Sequence, residues 1–356
     1  MRKLTITALV ILVLALLAYT QRSTIAKRIM SRGLETVMSN DTLAELGDGL
    51  HLAICGAGGP MPDIKRSGAC VAIIAGDRIF LVDTGTNGIR NLARMRYPLG
   101  SVSAVLLTHF HSDHIDGLGE VATLRWVSAA NTSPLPVIGP QGVNQVVAGF
   151  NTAYELDTGY RHDHHGDTVA PLSGKGMTAV EFPLPGPGDL TTVYDEDGLK
   201  IQMLSVGHLP IDPAAAYLFS YKGRTILVSG DTVKSANLQH FAQGVDILVH
   251  EALSPELLGL MHDAASAAGN EVMAKVTFDV LDYHASPVQA AEIARDAGVG
   301  ELVYYHIVPP LVLPGAEAAW LDGVDEVFEN YTLSQDGTSF TLPPNSKDII
   351  QTREKI

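Results

Sequence analysis

The chain has 356 residues, of which 46% are hydrophobic, so a folded core is expected and a largely disordered protein is excluded. The formal net charge is −15, from 39 acidic and 24 basic residues. Nucleic-acid binding draws its affinity from Lys and Arg side chains that neutralise phosphates. This balance therefore predicts a small anionic substrate and argues against nucleic acid as a partner.

The first 22 residues have the pattern of an export segment. Arg2 and Lys3 precede an almost wholly apolar stretch at residues 4–19, and polar residues follow. This is the layout of a secretory signal peptide, and an uncleaved membrane anchor fits nearly as well. We therefore expect a catalytic domain that is periplasmic or membrane-anchored outside the cytoplasm. Residues 23–45 are expected to form a helical linker or stalk.

Two cysteines, Cys55 and Cys70, flank a loop between two strand-like runs. Neighbouring strands would bring them close, and outside the cytoplasm a disulfide is chemically allowed. Two separate buried thiols are an equally good interpretation. The sequence leaves this choice open.

Strands and helices alternate along the rest of the chain. Runs of apolar residues bounded by turn residues predict strands, and a 3.6-residue period predicts helices. Residues 141–175 show no clear pattern. Strands are predicted at 52–55, 69–74, 78–83, 101–108, 134–140, 177–182, 191–195, 199–206, 215–221, 225–231, 245–251 and 301–305, and helices at 87–96, 118–130, 234–242 and 288–297.

The helix predicted at 288–297 has the best-defined start. Ser286 is suited to the N-cap, Pro287 to the first helical position and Gln289 to the capping box. Gly298 ends the helix. The strand predicted after this helix, at residues 301–305, places His306 at the carboxyl end of the strand.

The segment from Thr108 to His114 holds the densest set of potential metal ligands. It contains three histidines and one aspartate directly after a buried strand. Loops at the carboxyl ends of strands are where α/β folds place their chemistry. Neutral imidazoles and a carboxylate suit zinc, iron or manganese. A polar loop that is rich in histidine by chance is a much weaker interpretation of the spacing H-x-H-x-D-H.

This spacing resembles that of the metallo-β-lactamase superfamily, and further motifs follow in the order of one branch, which contains ribonuclease Z, related phosphodiesterases and a group of arylsulfatases. The resemblance covers about residues 50–310. It implies an α/β fold, a four-layer αββα sandwich, with the catalytic domain at 46–343 and a polar tail at 344–356. The further motifs are Gly56–Pro60, Phe80–Gly85, Gly207–His208, Ser229–Thr232, His250–Ala252, His284–Ser286 and His306.

The resemblance also implies a site for two zinc ions, with manganese or iron as alternatives. A hydroxide held between the two metals would attack the substrate. Glu251 and His284 match positions that assist the leaving group, and Asp113 is expected to be catalytic as well as a ligand. Asp83 would support the segment from Thr108 to His114, the histidine loop, and His250 is expected to be structural. The implied ligands are His109, His111 and His208 for one ion, Asp113, His114 and His306 for the other, and Asp231 as the bridge.

A second histidine cluster lies at residues 161–167. Because no strand precedes it, solvated loop histidines are the favoured interpretation over an additional metal site. A basic, Gly-rich arm of the kind that grips tRNA in ribonuclease Z is not found at 141–176 or 183–190.

Together these features predict a binuclear metal-dependent hydrolase that cleaves a small phosphodiester or a related anionic ester. An arylsulfatase-like activity is the next alternative, followed by lactone hydrolysis and tRNA 3′ processing. The non-hydrolytic alternatives are a di-iron redox protein and a scaffold that keeps the metal for stability. The N-terminal segment would bind the membrane if it is uncleaved, and a homodimer stays open.

Overall fold

The computed structural model describes residues 2–39 and 42–353. The chain divides into two compact units, of which the first extends to Thr42 and the second begins at Leu43. The described residues leave out Met1 of the predicted export segment, residues 40–41 of the predicted linker and residues 354–356 of the predicted polar tail.

The first unit contains one long helix, α1 (Arg2–Ser39). Within α1, the stretch Val10–Thr36 is long and apolar enough to cross a membrane, judged by length and composition alone. A signal sequence near the N-terminus has the same properties. The export or anchor function of residues 1–22 therefore stays a prediction.

The second unit consists of two β-sheets with helices packed against them. The helices after α1 are α2 (Thr42–Glu45), α3 (Gly88–Arg94), α4 (Ser112–Ile115), α5 (Leu118–Ala129), α6 (Val143–His165), α7 (Ala236–Phe241), α8 (Pro255–Ala267), α9 (Glu271–Asp279), α10 (Pro287–Ala297) and α11 (Ala316–Trp320).

The strands are divided between the two sheets. One sheet has the order β15-β14-β1-β2-β3-β4-β5-β6, and the other has the order β13-β12-β11-β10-β9-β8-β7. Their bounds are β1 (Leu50–Gly56), β2 (Cys70–Ala75), β3 (Arg78–Val82), β4 (Val102–Leu106), β5 (Leu135–Gly139), β6 (Met177–Glu181), β7 (Thr191–Glu196), β8 (Leu199–Ser205), β9 (Ala215–Tyr221), β10 (Arg224–Val228), β11 (Ile247–Leu253), β12 (Glu301–Val308), β13 (Tyr331–Leu333), β14 (Thr338–Leu342) and β15 (Ile350–Arg353).

Alternating side chains of the strands separate the hydrophobic layers. In β2, Val71 and Ile73 lie in the core between the two sheets, whereas Ala72 and Ile74 pack with α3, α5 and α6. On the far side of the second sheet, residues such as Leu248 pack with α7 and α10. This alternation follows from the two-residue period of a strand. The resulting order of helix, sheet, sheet and helix confirms the predicted αββα sandwich.

Residues 141–175, which show no clear pattern in the sequence, contain the long helix α6. Its buried residues are Val143 and Val147, one helical turn apart, so only a narrow apolar stripe marks it in the sequence. His162, His164 and His165 lie in its last turn. The expectation of a loop here was wrong, because these residues are helical, whereas His164 and His165 are exposed as expected of solvated side chains.

Residues 255–279 and the last 26 residues also contain elements that sequence patterns did not predict. The helices α8 and α9 fill the first of these regions, and β13 and β14 each join a sheet. Within the predicted polar tail, β15 pairs antiparallel with β14, from Thr341 opposite Ile350 to Thr338 opposite Arg353. The domain boundaries at 22, 45 and 343 stay predictions.

Cys55 and Cys70 form a disulfide with a Cα–Cα distance of 5.0 Å. The bond connects the end of β1 to the start of β2, and both cysteines are buried. The predicted capping box at α10 is present, because the Ser286 side chain accepts from the Gln289 backbone N–H and the Gln289 side chain accepts from that of Ser286.

Candidate metal centre

Loops at the carboxyl ends of several strands meet at one edge of the two sheets. His109 to His114 follow β4, His208 follows β8 and Asp231 follows β10. These side chains come from distant parts of the chain, and the parallel pairing of β10, β11 and β12 aligns the ends of those strands. Convergence at the carboxyl edge of a parallel sheet is the usual origin of sites in α/β folds.

All seven residues predicted as ligands are brought together. Their potential ligand atoms form groups within which all atoms lie within 4.8 Å of one another. The groups are His109 with His111, His208 and Asp231; Asp113 with His114 and His306; and Asp231 with His284 and His306.

Asp231 lies at the centre of this set and is 2% exposed. Its Oδ2 atom lies 3.3 Å from His114 Nε2 and 3.4 Å from His306 Nε2. The same oxygen lies 3.8 Å from the Nε2 atoms of His109 and His208. The position is therefore that of a carboxylate shared between the two predicted ligand groups.

The polar atoms of the cluster fit a bound metal ion. Among the described residues, His114 Nε2, His208 Nε2 and Asp231 Oδ1 are buried and have no hydrogen-bond partner. A buried polar atom without a partner costs free energy, so such atoms in one cluster need a ligand. Imidazole nitrogens and carboxylate oxygens are suitable donors for a divalent metal, typically zinc.

Asp83 supports the histidine loop through hydrogen bonds, as predicted. Its Oδ1 accepts the Thr108 backbone N–H at 2.9 Å, and its Oδ2 accepts the Thr108 hydroxyl at 2.8 Å. The His114 Nδ1 atom lies 2.8 Å from the same Oδ2. Because the carboxylate accepts a hydrogen bond from the Nδ1–H group, His114 directs Nε2 towards Asp231 and Asp113.

His306 lies at a β-bulge inside β12, whereas the sequence predicted it just beyond a strand. In the pairing of β11 with β12, Glu251 faces Tyr305 and Ala252 faces Ile307, so His306 is the unpaired residue. Its φ of 45° is in the left-handed region, which is uncommon for a histidine. A bulge re-aims a side chain next to an active site, and here it directs His306 towards Asp113, at 3.1 Å.

Burial keeps several imidazoles in the form that binds a metal. Burial lowers the pKa of His109 well below its usual value, and it also lowers the pKa of His111 and His208. For Asp231, burial raises the pKa, but the neighbouring His306 and His114 outweigh it and hold the pKa well below the usual value. Neutral imidazoles at these three histidines and an ionised carboxylate are what metal ligation requires. His114 differs, because burial lowers its pKa but Asp231 and Asp83 outweigh this and raise it well above the usual value.

Glu251 and His284 form a second buried pair beside this cluster. His284 Nδ1 lies 3.2 Å from Glu251 Oε2. The other carboxylate oxygen, Oε1, accepts the backbone N–H groups of Thr232 and Ala285 at 3.2 and 3.0 Å. Burial lowers the pKa of His284, but the Glu251 carboxylate outweighs it and raises the pKa to about 9. The pair therefore presents a protonated imidazole at the site.

Tyr283 contributes to the site, although the sequence analysis did not single it out. Its backbone carbonyl accepts a hydrogen bond from His208 Nδ1 at 2.9 Å, which directs His208 Nε2 to Asp231. Its ring packs edge-on against His208, with 4.9 Å between the ring centroids. The only sequence signal was its position directly before His284, and a backbone acceptor leaves no mark on residue type.

The remaining histidines that the sequence singled out lie apart from this cluster. His250 is buried within β11, where its Nδ1 lies 2.6 Å from the Glu251 carbonyl oxygen. His162 Nδ1 is 2.9 Å from the Ala170 carbonyl, near the end of α6. Among the described residues, neither histidine belongs to a group of potential metal ligands.

Comparison with known proteins assigns this arrangement to a family. The family described as the metallo-β-lactamase superfamily matches residues 64–268. A protein named ribonuclease Z from Mycobacterium avium is 36% identical over 273 residues, which are 76% of this chain and 90% of that protein.

Solved structures show the same fold. The metallo-β-lactamase fold protein YhfI from Bacillus subtilis has a TM-score of 0.58 at 18% identity, covering 82% of this chain and 99% of YhfI. The short form of human tRNase Z has a TM-score of 0.58 at 17% identity, with coverage of 82% and 99%. At these identities the likeness extends to the fold alone.

Proposed function

The chain belongs to the metallo-β-lactamase superfamily, in the branch of ribonuclease Z, and we propose that this metal-dependent hydrolase cleaves phosphodiester bonds of RNA with two zinc ions. The observation that carries the proposal is the cluster around Asp231, whose carboxylate groups with His109, His111 and His208 and also lies within 3.4 Å of His114 and His306. The substrate class is suggested by relatives that are named ribonucleases and match over 90% of their length.

The expectation of a small anionic ester, with the charge arguing against nucleic acid as a partner, was wrong. The relatives at 36% identity are ribonucleases, enzymes that act on RNA. The net charge of −15 sums the whole chain, whereas a substrate phosphate meets only the local site. Bound metal ions are often the largest local charges in such a site, so an acidic protein can still hold a phosphate there.

We assign one metal position to His109, His111 and His208 and the other to Asp113, His114 and His306, with Asp231 between them. When bound, two divalent ions supply an activated water and neutralise charge on the attacking and leaving oxygens. Asp83 and the Tyr283 carbonyl orient His114 and His208. Such outer contacts typically change metal affinity by roughly 10- to 100-fold.

The proton for the leaving oxygen is assigned to His284. Its Nδ1 faces Glu251, so Nε2 on the opposite side of the ring is left to donate. The Glu251 carboxylate is itself held by two backbone N–H groups, so the pair keeps one orientation. This arrangement suits general-acid catalysis, in which a positioned side chain protonates an alkoxide as it departs.

The test compares Asp231→Ala with Asp116→Ala, an exposed aspartate on the same loop as His114. Each protein is assayed for bound metal and for cleavage of a labelled precursor tRNA and an aryl phosphodiester. Asp231→Ala should lose metal and more than about 100-fold of the rate on both substrates, whereas Asp116→Ala should keep both.

Two results would contradict the proposal in different ways. Wild-type rates for Asp231→Ala at equal metal content would remove the bridging role. Hydrolysis of the aryl phosphodiester without cleavage of any RNA would leave a phosphodiesterase and overturn the substrate class. The arylsulfatase, lactonase and di-iron alternatives gain no support from the relatives described above.

A further inference from the structure

An apolar cavity of about 520 Å³ lies between the histidine loop and α6. Phe110 and Ile115 of the histidine loop form one wall, and Val146, Gly149 and Phe150 of α6 form the other. Its volume lies within the roughly 300–1,000 Å³ that is typical of ligand pockets. Gln145 is the only polar side chain among the described residues that line it.

The histidine loop is shared between the cavity and the predicted ligands. Phe110 lies between His109 and His111, whose Nε2 and Nδ1 atoms are 3.1 Å apart. While these imidazoles face each other, Phe110 contacts α6: a Cβ atom at Gly142 would lie 2.9 Å from Phe110 Cε2. The cavity is therefore lined by a residue of the same loop that carries His109 and His111.

The floor of the cavity is fixed by the hydrophobic core. Phe110, Ile115, Val146 and Phe150 all pack against the buried cluster between the first sheet and its helices. These side chains are partly exposed on the cavity side, so they present a preformed apolar and aromatic surface to solvent. Preformed sites lose little free energy to ordering on binding.

The lining of the cavity identifies the occupant. A surface without cations does not bind a phosphate, whereas an aromatic surface stacks a nucleobase. Phe110 and Phe150 are the aromatic side chains in the lining, and an RNA substrate carries a base on each side of the cleaved bond. We propose that this cavity binds a nucleobase of the nucleotide next to the scissile phosphate, an inference that rests on the proposed function.

Gly149 offers a way to block the cavity without disturbing the fold. A Cβ atom at Gly149 meets no atom within 4 Å, and the same is true of Gly159, which lies on the same helix outside the cavity. Replacing glycine in a helix by leucine or alanine also favours the helix. Gly149→Leu fills the cavity, Gly149→Ala leaves it open, and Gly159→Leu is the matched control.

The experiment measures kcat/KM of the four full-length proteins on an RNA with intact bases and on RNAs with one abasic nucleotide on either side of the cleaved bond. Gly149→Leu should lose about 10- to 100-fold on intact RNA, as expected for loss of one base stack. One abasic RNA should show a similar loss with the wild-type protein and no further loss with Gly149→Leu. Gly149→Ala and Gly159→Leu should match the wild type on every RNA.

Equal rates for Gly149→Leu and Gly159→Leu on intact RNA would overturn the inference, and so would additive losses with both abasic RNAs. In either case the wild-type protein still cleaves RNA, and the proposed function survives. Hydrolysis of an aryl phosphodiester without cleavage of any RNA would overturn both proposals together.

Discussion

At the residue scale, the site depends on a few buried charges that only a ligand or a partner charge can satisfy. Asp231 is almost fully buried, and four imidazoles lie within 3.8 Å of its Oδ2. Burying a carboxylate without partners costs free energy, so packing alone does not explain an aspartate at this position. The cluster is therefore better explained by ligand binding than by stability.

The assignment of His284 as the proton donor predicts a dependence on the leaving group. His284→Gln should lower the rate on RNA by roughly 10²- to 10⁴-fold, because the departing ribose alkoxide needs a proton. An aryl phosphodiester that releases p-nitrophenolate should lose much less, since that anion is stable without one. Rates on both substrates at equal metal content provide the check, and equal losses would indicate a role in binding rather than in protonation.

At the element scale, the bulge in β12 and the loop after β1 position His306 together. The Ile307 backbone N–H donates to the Ala57 carbonyl at 3.0 Å, and Gly58 forms an isolated bridge with Ile307. Gly59 is then so close to His306 that the structure leaves no room for a side chain. A glycine is needed here because another part of the chain approaches closely.

Gly59→Ala should therefore weaken metal binding while the fold is retained. A Cβ atom there would lie 2.9 Å from Val308 Cγ2 and 3.1 Å from His306 Cε1, so the Val308 side chain must move and the imidazole must give by a few tenths of an ångström. We expect metal affinity to fall by roughly 10- to 100-fold, measured by competition with a chelator. Gly259→Ala in α8, where a Cβ meets no atom within 4 Å, is the control. Unchanged metal affinity in Gly59→Ala would show that the loop after β1 moves while His306 keeps its position.

The buried histidine in β1 predicts how stability depends on pH. His51 Nδ1 and Nε2 lie 3.0 Å from the Thr341 hydroxyl and the Gly47 carbonyl. Burial lowers its pKa below the ordinary 6.5, although the Gly47 carbonyl and Asp48 oppose this. The unfolded chain then binds more protons, so this contribution is present above pH 6.5 and is lost as the pH falls below it.

The measurement is the free energy of unfolding of the metal-free protein from denaturant titrations at about pH 7.5 and pH 5.5. On acidification, His51→Gln should lose less stability than the wild-type protein. His240→Gln, at an exposed position in α7, should behave like the wild type. An identical pH dependence for the His51 variant and the wild type would mean that His51 does not titrate in this range.

At the scale of the whole molecule, we propose that the catalytic unit is exported or anchored outside the cytoplasm. The proposal rests on the apolar stretch Val10–Thr36 and on the Cys55–Cys70 disulfide. Disulfides persist in oxidising compartments and are rare in the cytosol. A buried disulfide and an N-terminal apolar helix in one chain are consistent with the same location.

Protease treatment of spheroplasts and alkylation of free thiols in intact cells test this location. We expect external protease to degrade the catalytic unit. We also expect Cys55 and Cys70 to stay unlabelled after denaturation, because both are held in the disulfide. Full protection together with labelled thiols would place the unit in the cytoplasm. The mass of the mature N-terminus then distinguishes a removed signal from a retained anchor.

The sequence by itself determined the class of fold and the set of side chains at the site. Each of these side chains either follows an apolar strand or lies in a short glycine-flanked motif, so local patterns were enough to identify it. The capping box at Ser286 and the strand before His109 were predictable for the same reason, because both are encoded by neighbouring residues. The function class followed from the set as a whole.

Only the tertiary structure decided the features that depend on distant contacts. The unpaired position of His306 is set by the register of β12 against β11, and the disulfide by the pairing of β1 with β2. The helix α6 depends on burial of a narrow stripe, which its own sequence signals weakly. The apolar cavity beside Phe110 arises where α6 meets the histidine loop. Local composition does not specify such long-range packing, because the fold determines which distant residues contact each other.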